Sequence, residues 1–270
     1  MKISQMLSPL LAGVVSQRSK SGAISAIKNC TFSGADMIDL HLECLDEKNE
    51  DAFREIIRTT KLPVLALDYT SANCDGEWEA FEKQRIERFL AALRAGAAGI
   101  DIQGYTFHRP SRVGFYGEDK YPFTANAPKE VVTDEGTISK QCDLIEKVHS
   151  MGKEVLLSCH PGIPMNCQQV VELALFLEKR NPDIVKIVTV AETEEDAMES
   201  IRTMTVLKKE VKTPVTYHVN GSAGTLSRII NPLLGGHMAF CVDRYKETNF
   251  VEQPELKAIR TIVDNLKRNL

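Results

Sequence analysis

Residues 154–160, EVLLSCH, form an apolar run that ends in His160, and residues 183–188, DIVKIV, form the next such run with Lys186 inside it. A polar segment with helical periodicity separates the runs, which is typical of parallel strands joined by a crossover helix. In that arrangement the two side chains lie near neighbouring strand ends and face one pocket. Burial disfavours the charged form of lysine and makes its amine nucleophilic, while histidine transfers protons near neutral pH. The pair therefore suggests Schiff-base chemistry on a carbonyl compound.

Apolar runs alternate with helix-patterned segments along almost the whole chain. The candidate strands are residues 10–16, 36–43, 63–69, 98–103, 154–159, 183–188, 214–219 and 237–242. The candidate helices are residues 21–33, 48–60, 77–95, 137–151, 166–180, 193–210, 224–233 and 254–269. Eight such units in 270 residues are typical of a (β/α)8 TIM barrel. A doubly wound open sheet is the alternative, but no GxGxxG or Walker sequence follows any strand.

The composition indicates an ordinary globular protein, with 43% hydrophobic and 26% charged residues. A net charge of −4 leaves no basic footprint for nucleic acid, and no apolar run approaches the ~20 residues of a membrane span. Seven cysteines without a CxxC pattern argue against a disulfide framework and against a zinc site. We therefore expect a reducing cytoplasm, with no metal and with neither nucleic acid nor membrane as a partner.

One long segment, residues 104–136, interrupts the alternation after the fourth strand. It is rich in Tyr, Phe, Pro and Gly, and no linker divides the chain elsewhere, which predicts one domain over residues 1–270 with an inserted loop. In a barrel this loop would emerge at the C-terminal face, where active sites form. It could be a lid or pocket wall, or equally a surface ornament or a subunit contact.

A small-residue turn follows the seventh strand in HVNGSAGTLSRII, residues 218–230, and the helix after it carries Arg228. Exposed N–H groups at the start of a helix attract anions, and arginine can hold a carboxylate in a bidentate grip. Phosphate remains the competing ligand, because barrels often bind phosphate after a late strand.

Other polar residues in or beside the strands are predicted to be structural. Asp101 and Gln103 alternate with apolar neighbours in the fourth strand and could face the barrel interior, where a structural hydrogen bond is the favoured role. His218 and His237 also fall in or beside strands, and both are predicted to be structural residues. Cys159 precedes His160 directly, and adjacent residues of a strand point to opposite faces, so the two should not form a dyad.

Seven motifs follow one another along the chain: DMIDLHLE, PVLALDYT, GIDIQ, VLLSCH, DIVKIVTVAETEEDA, PVTYHVNGSAGTLSRI and LGGHMAF. Their order resembles that of the type I 3-dehydroquinate dehydratase family. The resemblance extends from about residue 10 to the end of the chain. It implies a (β/α)8 barrel, a homodimer, and a lyase that needs neither metal nor organic cofactor. It also implies dehydration of 3-dehydroquinate to 3-dehydroshikimate in aromatic biosynthesis or quinate use.

The resemblance assigns roles to several positions. Lys186 matches the lysine that forms the covalent imine, and His160 matches the general acid/base. Arg228 matches the arginine that binds the substrate carboxylate. Phe240 matches an aromatic residue near the ring, and Gln253 aligns with a glutamine on a closing loop.

Four substrate-binding positions depart from the family pattern. Asp39 takes the place of a glutamate, while His41 and Tyr69 take the places of two arginines. The glutamate that orients the catalytic histidine aligns with Asn73. A site built to hydrogen-bond particular hydroxyls rejects compounds that do not satisfy it, so these changes predict a different polyol preference. A paralogue acting as dehydratase or aldolase on another hydroxylated keto acid, and a non-catalytic metabolite-binding barrel, are the alternatives.

Overall fold

The computed structural model describes residues 2–69, 77–108, 129–245 and 252–267. In these ranges, eight strands form one sheet with the order β7-β6-β5-β4-β3-β2-β1-β8, and every neighbouring pair is parallel. The strands are β1 (Leu10–Val15), β2 (Met37–His41), β3 (Val64–Leu67), β4 (Gly99–Gln103), β5 (Glu154–Cys159), β6 (Ile184–Val190), β7 (Val215–Asn220) and β8 (Met238–Cys241).

The sheet curves into a barrel, because its two edge strands meet. The backbone N–H of His237 donates to the carbonyl oxygen of Val215 at 2.8 Å. The N–H of Met238 donates to Thr216 Oγ1 at 3.2 Å. The predicted (β/α)8 barrel is therefore confirmed, and the doubly wound open sheet is wrong.

Within the described ranges, eight α-helices follow the strands, and none is both long and apolar enough to cross a membrane. They are α1 (Lys20–Phe32), α2 (Glu50–Ile57), α3 (Trp78–Arg94), α4 (Glu135–Ser150), α5 (Cys167–Glu178), α6 (Glu194–Glu210), α7 (Thr225–Leu233) and α8 (Leu256–Lys267). Local sequence sets several starts. Asn166 and Thr193 form capping boxes that begin α5 and α6, each satisfying backbone donors that a helix start leaves free.

Apolar side chains fill the half of the barrel interior that lies at the N-terminal ends of the strands, here called the lower half. Polar groups line the upper half, at the C-terminal ends. One buried cluster contains Leu10, Met37, Leu65, Leu156, Ile184 and Met238, which come from the N-terminal halves of the strands. A larger cluster packs the outer face of the sheet against the helices. The strands therefore present their polar residues at the C-terminal face, where barrels place their active sites.

Only parts of the 104–136 segment are described. Residues 104–108 and 129–136 flank β4 and α4, while 109–128 lie outside the described residues. The expectation of a lid or pocket wall therefore stays a prediction for those residues, and so does the single-domain organisation.

A buried ion pair ties α3 to the upper ends of β3 and β4. Arg85, with a fully buried side chain, donates to Glu82 at 2.8 Å and to Thr106 Oγ1 at 2.9 Å. It also donates to Gln103 Oε1 and to the carbonyl oxygen of Asp68. One guanidinium thus fixes the backbone around the site, and Gln103 has the structural role predicted for it.

Replacing Arg85 with leucine should lower the free energy of unfolding by about 3–5 kcal/mol, because Glu82 would become an uncompensated buried charge. Urea denaturation followed by circular dichroism measures this change. Arg94→Leu is the matched control, since Arg94 lies on the same helix but is about half exposed in its pair with Glu50. That exposed pair should contribute at most about 1 kcal/mol. Equal losses in the two variants would contradict the assignment.

Candidate active site

A cavity of about 570 Å³ opens at the C-terminal ends of the strands. Both predicted catalytic residues, Lys186 and His160, line it. So do six of the predicted substrate-binding residues, namely Arg228, Asp39, His41, Tyr69, Phe240 and Gln253. Asn73 lies outside the described residues. The barrel therefore brings together eight positions that are scattered over more than 200 residues of sequence.

Lys186 lies in the middle of β6 and is 5% exposed. Its Nζ donates to Asp101 Oδ2 at 3.3 Å and lies 4.2 Å from the centroid of the Phe240 ring. Ser158, the β5 neighbour of Lys186, donates to the other oxygen of Asp101 at 2.6 Å. Burial raises the pKa of Asp101, while Lys186 and Ser158 oppose that rise. Asp101 is thus in contact with the reactive amine, beyond the structural role predicted from sequence.

His160 directly follows β5 and is held by the carboxylate of Glu130. Glu130 Oε2 lies 2.9 Å from His160 Nδ1 and accepts the backbone N–H of His160 at 2.8 Å. An ionised carboxylate only accepts hydrogen bonds, so Nδ1 carries the proton and Nε2 is the basic nitrogen. The hydroxyl of Tyr69 lies 3.2 Å from Nε2 and donates to it.

Backbone contacts place Glu130 against the end of β5. The N–H of Lys129 donates to the carbonyl of Pro161 at 2.8 Å, and Glu130 itself adopts a φ of 60°. A Cβ on Gly104 would lie 2.0 Å from the Glu130 carbonyl oxygen, so only glycine allows this approach. The left-handed conformation of Glu130 is uncommon for a residue with a side chain and is typical of functional sites.

Arg228 lies in the first turns of α7 and points its guanidinium into the cavity. It donates to Asn220 Oδ1 and forms an ion pair with Glu252 at 3.6 Å. Within the described residues, its buried Nε has no hydrogen-bond partner. Burial lowers the pKa of Arg228, although Glu252 opposes this. Because Arg228 lines the cavity, its guanidinium can pair with a carboxylate bound there.

His41, the last residue of β2, lies between two carboxylates. Its Nε2 is 3.4 Å from Asp39 Oδ2, and its Nδ1 is 3.0 Å from Glu43 Oε1. Burial lowers the pKa of His41, but hydrogen bonds to Asp39, Cys44 and Glu43 together raise it well above the usual value. The ring centroids of His41 and Tyr69 are 6.3 Å apart, and those of Tyr69 and His160 are 5.7 Å apart. The Tyr69 ring thus lies between the imidazole of His41 and the imidazole of His160.

The far wall of the cavity combines an aromatic ring with a buried imidazole. The ring centroids of Phe240 and His218 are 6.3 Å apart. Burial lowers the pKa of His218 well below its usual value, and Arg228 and Lys186 lower it further, so this imidazole is neutral. His237 Nε2, in contrast, donates to the carbonyl oxygen of Ile3 at 3.0 Å, at the opposite end of the barrel, as predicted for a structural residue.

A family model described as type I 3-dehydroquinase matches residues 126–269, which is more than half of the chain. The chain belongs to the type I 3-dehydroquinase family. Two curated relatives are named 3-dehydroquinate dehydratase. The protein from Methanosarcina acetivorans is 26% identical in an alignment that covers 89% of each chain. The protein from Desulfotalea psychrophila is 25% identical in an alignment that covers 85% of this chain and 86% of the relative. The solved 3-dehydroquinate dehydratase of Geobacillus kaustophilus matches with a TM-score of 0.73 at 15% identity, covering 99% of this chain and 96% of that one.

In this type I 3-dehydroquinase, two carboxylates contact the catalytic pair in ways that the sequence does not predict. Asn73 aligns with the family's histidine-orienting glutamate and lies outside the described residues, whereas Glu130 in the 104–136 segment contacts His160. Glu130 carried no local sequence signal beyond its place between a Pro/Gly-rich stretch and the buried pair Val131–Val132. Asp101 faces the barrel interior, as strand alternation predicts, and there it contacts Lys186 in addition to its structural hydrogen bond with Ser158.

Proposed function

We propose that this chain is a lyase that dehydrates 3-dehydroquinate to 3-dehydroshikimate through an imine on Lys186. The observation that supports this most directly is that Lys186 Nζ and the His160 imidazole line one cavity, with Glu130 behind the imidazole. The cavity volume of about 570 Å³ lies within the roughly 300–1,000 Å³ of small-molecule sites. The relatives named 3-dehydroquinate dehydratase support the same substrate.

The proposed reaction begins with the amine. Lys186 passes a proton to Asp101, whose pKa is raised by burial, and the uncharged amine adds to the ketone carbon. Loss of water from the adduct gives an iminium ion. His160 Nε2 then removes a proton from the adjacent carbon, and the electron pair of that C–H bond moves toward the iminium nitrogen to give an enamine.

The second half of the reaction returns those electrons. They expel the β-hydroxyl group, which leaves as water with the proton from His160. Addition of water to the conjugated iminium releases the enone product and restores the amine. One water leaves during imine formation and one enters during hydrolysis, so the net change is the loss of a single water. The substrate C–H must replace Tyr69 at Nε2 before proton transfer.

We infer the remaining properties from the family resemblance and the cysteine content. The enzyme uses the amine of its own lysine and needs no organic cofactor. It acts as a cytoplasmic homodimer in aromatic biosynthesis or quinate use, on a small molecule that carries a carbonyl and a carboxylate. Gln253 and Phe240, which both line the cavity, contact the substrate.

A second candidate is a paralogue that runs the same imine chemistry on another hydroxylated keto acid. Asp39, His41 and Tyr69 favour it, because they line the cavity where the family carries a glutamate and two arginines. An assay of purified protein with 3-dehydroquinate, following the ultraviolet absorbance of the enone product, separates the two. We expect enone formation. Absence of enone together with borohydride labelling of Lys186 by another keto acid would favour the paralogue.

Arg228→Gln should raise KM for 3-dehydroquinate by about 10–100-fold and change kcat much less, because charge-assisted hydrogen bonds contribute roughly 1.5–3 kcal/mol. Steady-state kinetics measure both constants. Arg202→Gln is the matched control, since Arg202 is an exposed residue of α6 paired with Glu199. An unchanged KM in Arg228→Gln would remove Arg228 from the carboxylate site.

A further inference from the structure

Three potential metal ligands lie together at the upper end of β2. His41 ends the strand, and Glu43 and Cys44 lie in the short 3-10 helix Leu42–Cys44 that follows. We call these three residues the β2 cluster. One ligand atom from each lies within 4.8 Å of the others, with 3.0 Å between His41 Nδ1 and Glu43 Oε1 and 3.8 Å between Cys44 Sγ and Glu43 Oε1. Ligands bonded to one tetrahedral zinc ion stand roughly 3.3–3.8 Å apart, so small side-chain adjustments suffice.

Two carboxylate oxygens around the β2 cluster are buried without a partner. Among the described residues, neither Glu43 Oε2 nor Asp39 Oδ1 has a hydrogen-bond partner, and the Asp39 side chain is only 2% exposed. An unsatisfied buried acceptor costs about 1–3 kcal/mol, and more when it is charged. A bound cation would offset that cost, which hydrogen bonds from the described residues do not.

Two residues beside the β2 cluster, Asp39 and Ser16, make hydrogen-bonding contacts of the kind that orient metal ligands. Histidines that bind a metal usually donate their other ring N–H to a carboxylate, which fixes the tautomer. Asp39 Oδ2 lies 3.4 Å from His41 Nε2 and can accept its proton, so a metal ion bound to Nδ1 would replace the hydrogen bond that Nδ1 now makes with Glu43 Oε1. Ser16 Oγ lies 3.0 Å from Cys44 Sγ and can donate to the thiolate. These contacts come from β2 and from the loop after β1.

We propose that His41 Nδ1, Glu43 and Cys44 Sγ bind one divalent ion of the zinc class, with Asp39 and Ser16 orienting the ligands. A thiolate and an imidazole select zinc over magnesium or calcium, which prefer oxygen ligands. This site departs from the expectation of no metal, because that expectation looked for paired cysteines. Here a strand end and a single helical turn bring the H-x-E-C ligands together.

The three ligands leave one coordination position for a water or a substrate oxygen, as in catalytic rather than structural zinc sites. All three residues line the same cavity as Lys186 and His160. The ion would therefore hold a hydroxyl of the substrate at positions where the family uses other side chains. Ion binding itself does not depend on the proposed function, but this assignment of the open position rests on it.

Equilibrium dialysis of chelator-treated protein against zinc sulfate measures the stoichiometry and affinity, and cobalt(II) reports the ligands by absorbance. We expect one zinc per chain and a sulfur-to-cobalt charge-transfer band in the near ultraviolet. Cys44→Ser should abolish the band, and Asp39→Asn should weaken zinc binding by about 10–100-fold. Cys142→Ser is the matched control, because Cys142 is a free, part-buried cysteine of α4 that does not line the cavity.

Lack of stoichiometric zinc binding by the wild-type chain would overturn the proposal, and so would a charge-transfer band that survives in Cys44→Ser. His41→Gln tests the second ligand, with circular dichroism as the check on folding. The cobalt spectrum of the wild-type chain tests the site even if a variant fails to fold.

The test is independent of imine formation, since Lys186→Met should retain zinc. A chain that binds zinc without borohydride labelling of Lys186 would overturn the proposed function alone, and a labelled chain without zinc would overturn only the ion site. Adding 3-dehydroquinate to cobalt-loaded Lys186→Met should shift the visible bands. An unchanged spectrum would overturn the assignment of the open position.

Discussion

Lys186→Met is expected to lower kcat for enone formation by about 10⁴-fold or more and to abolish borohydride labelling of the chain. Methionine fills much of the same buried space but carries no nucleophile, so the substrate ketone cannot form an imine. Mass spectrometry of the chain, incubated with 3-dehydroquinate and borohydride, measures the covalent adduct directly. The wild type should gain the mass of one reduced substrate at Lys186.

Loss of the lysine should not unfold the barrel. Lys186 pairs with Asp101 at 3.3 Å, and its removal leaves that carboxyl without its cation. Burial already raises the pKa of Asp101, so the carboxyl can take up a proton and remain in place, hydrogen-bonded to Ser158. Circular dichroism of Lys186→Met should therefore resemble that of the wild type. Lost activity can then be assigned to chemistry and not to unfolding.

Lys209→Met is the matched control, because Lys209 is an exposed residue near the end of α6. It should keep the wild-type kcat and the adduct. A Lys186→Met variant that still turns over the substrate at the wild-type rate would exclude the imine mechanism. Labelling that persists in that variant would place the reactive amine elsewhere.

The sequence was sufficient for the barrel because each strand carries its own signal. Runs such as EVLLSC and DIVKIV are continuously apolar, as strands buried on both faces must be, and turn residues precede most of them. Strand ends were less certain: the candidate strand 36–43 ends at His41, because Leu42–Cys44 turns into a 3-10 helix. That single turn is what brings Glu43 and Cys44 back toward His41.

The pairing of Lys186 with His160 could also be predicted, since consecutive parallel strands bring their upper ends together. The carboxylates that contact these two residues could not be predicted from the sequence. Glu130 precedes His160 by 30 residues and lies in the 104–136 segment, for which the sequence predicts neither strand nor helix. Asp101 lies 85 residues before Lys186, and alternation along β4 could assign its face but not its neighbour across the barrel. Contacts of this kind follow from barrel closure, which no local pattern contains.

Glu130→Gln is expected to lower kcat by about 10²–10⁴-fold while the substrate still binds. The carboxylate holds the proton on His160 Nδ1, which leaves Nε2 basic. A glutamine can present its N–H₂ group to Nδ1, favour the opposite tautomer and place the proton on Nε2. His160 would then lack a free electron pair toward the substrate. Borohydride labelling of Lys186 should become slower, because His160 assists imine formation, yet it should reach the same final extent.

Glu135→Gln is the matched control, since Glu135 is an exposed residue at the start of α4, five positions away. It should retain the wild-type kcat, and Glu130→Asp should recover part of the loss because it restores an acceptor. The pH profile distinguishes orientation from simple structural support. If Glu130 sets the tautomer, the acidic limb of kcat/KM, which reports protonation of the catalytic base, changes in Glu130→Gln while the unfolding transition does not. An unaltered kcat would mean that His160 is oriented from another direction, and the 104–136 segment would lose its catalytic contribution.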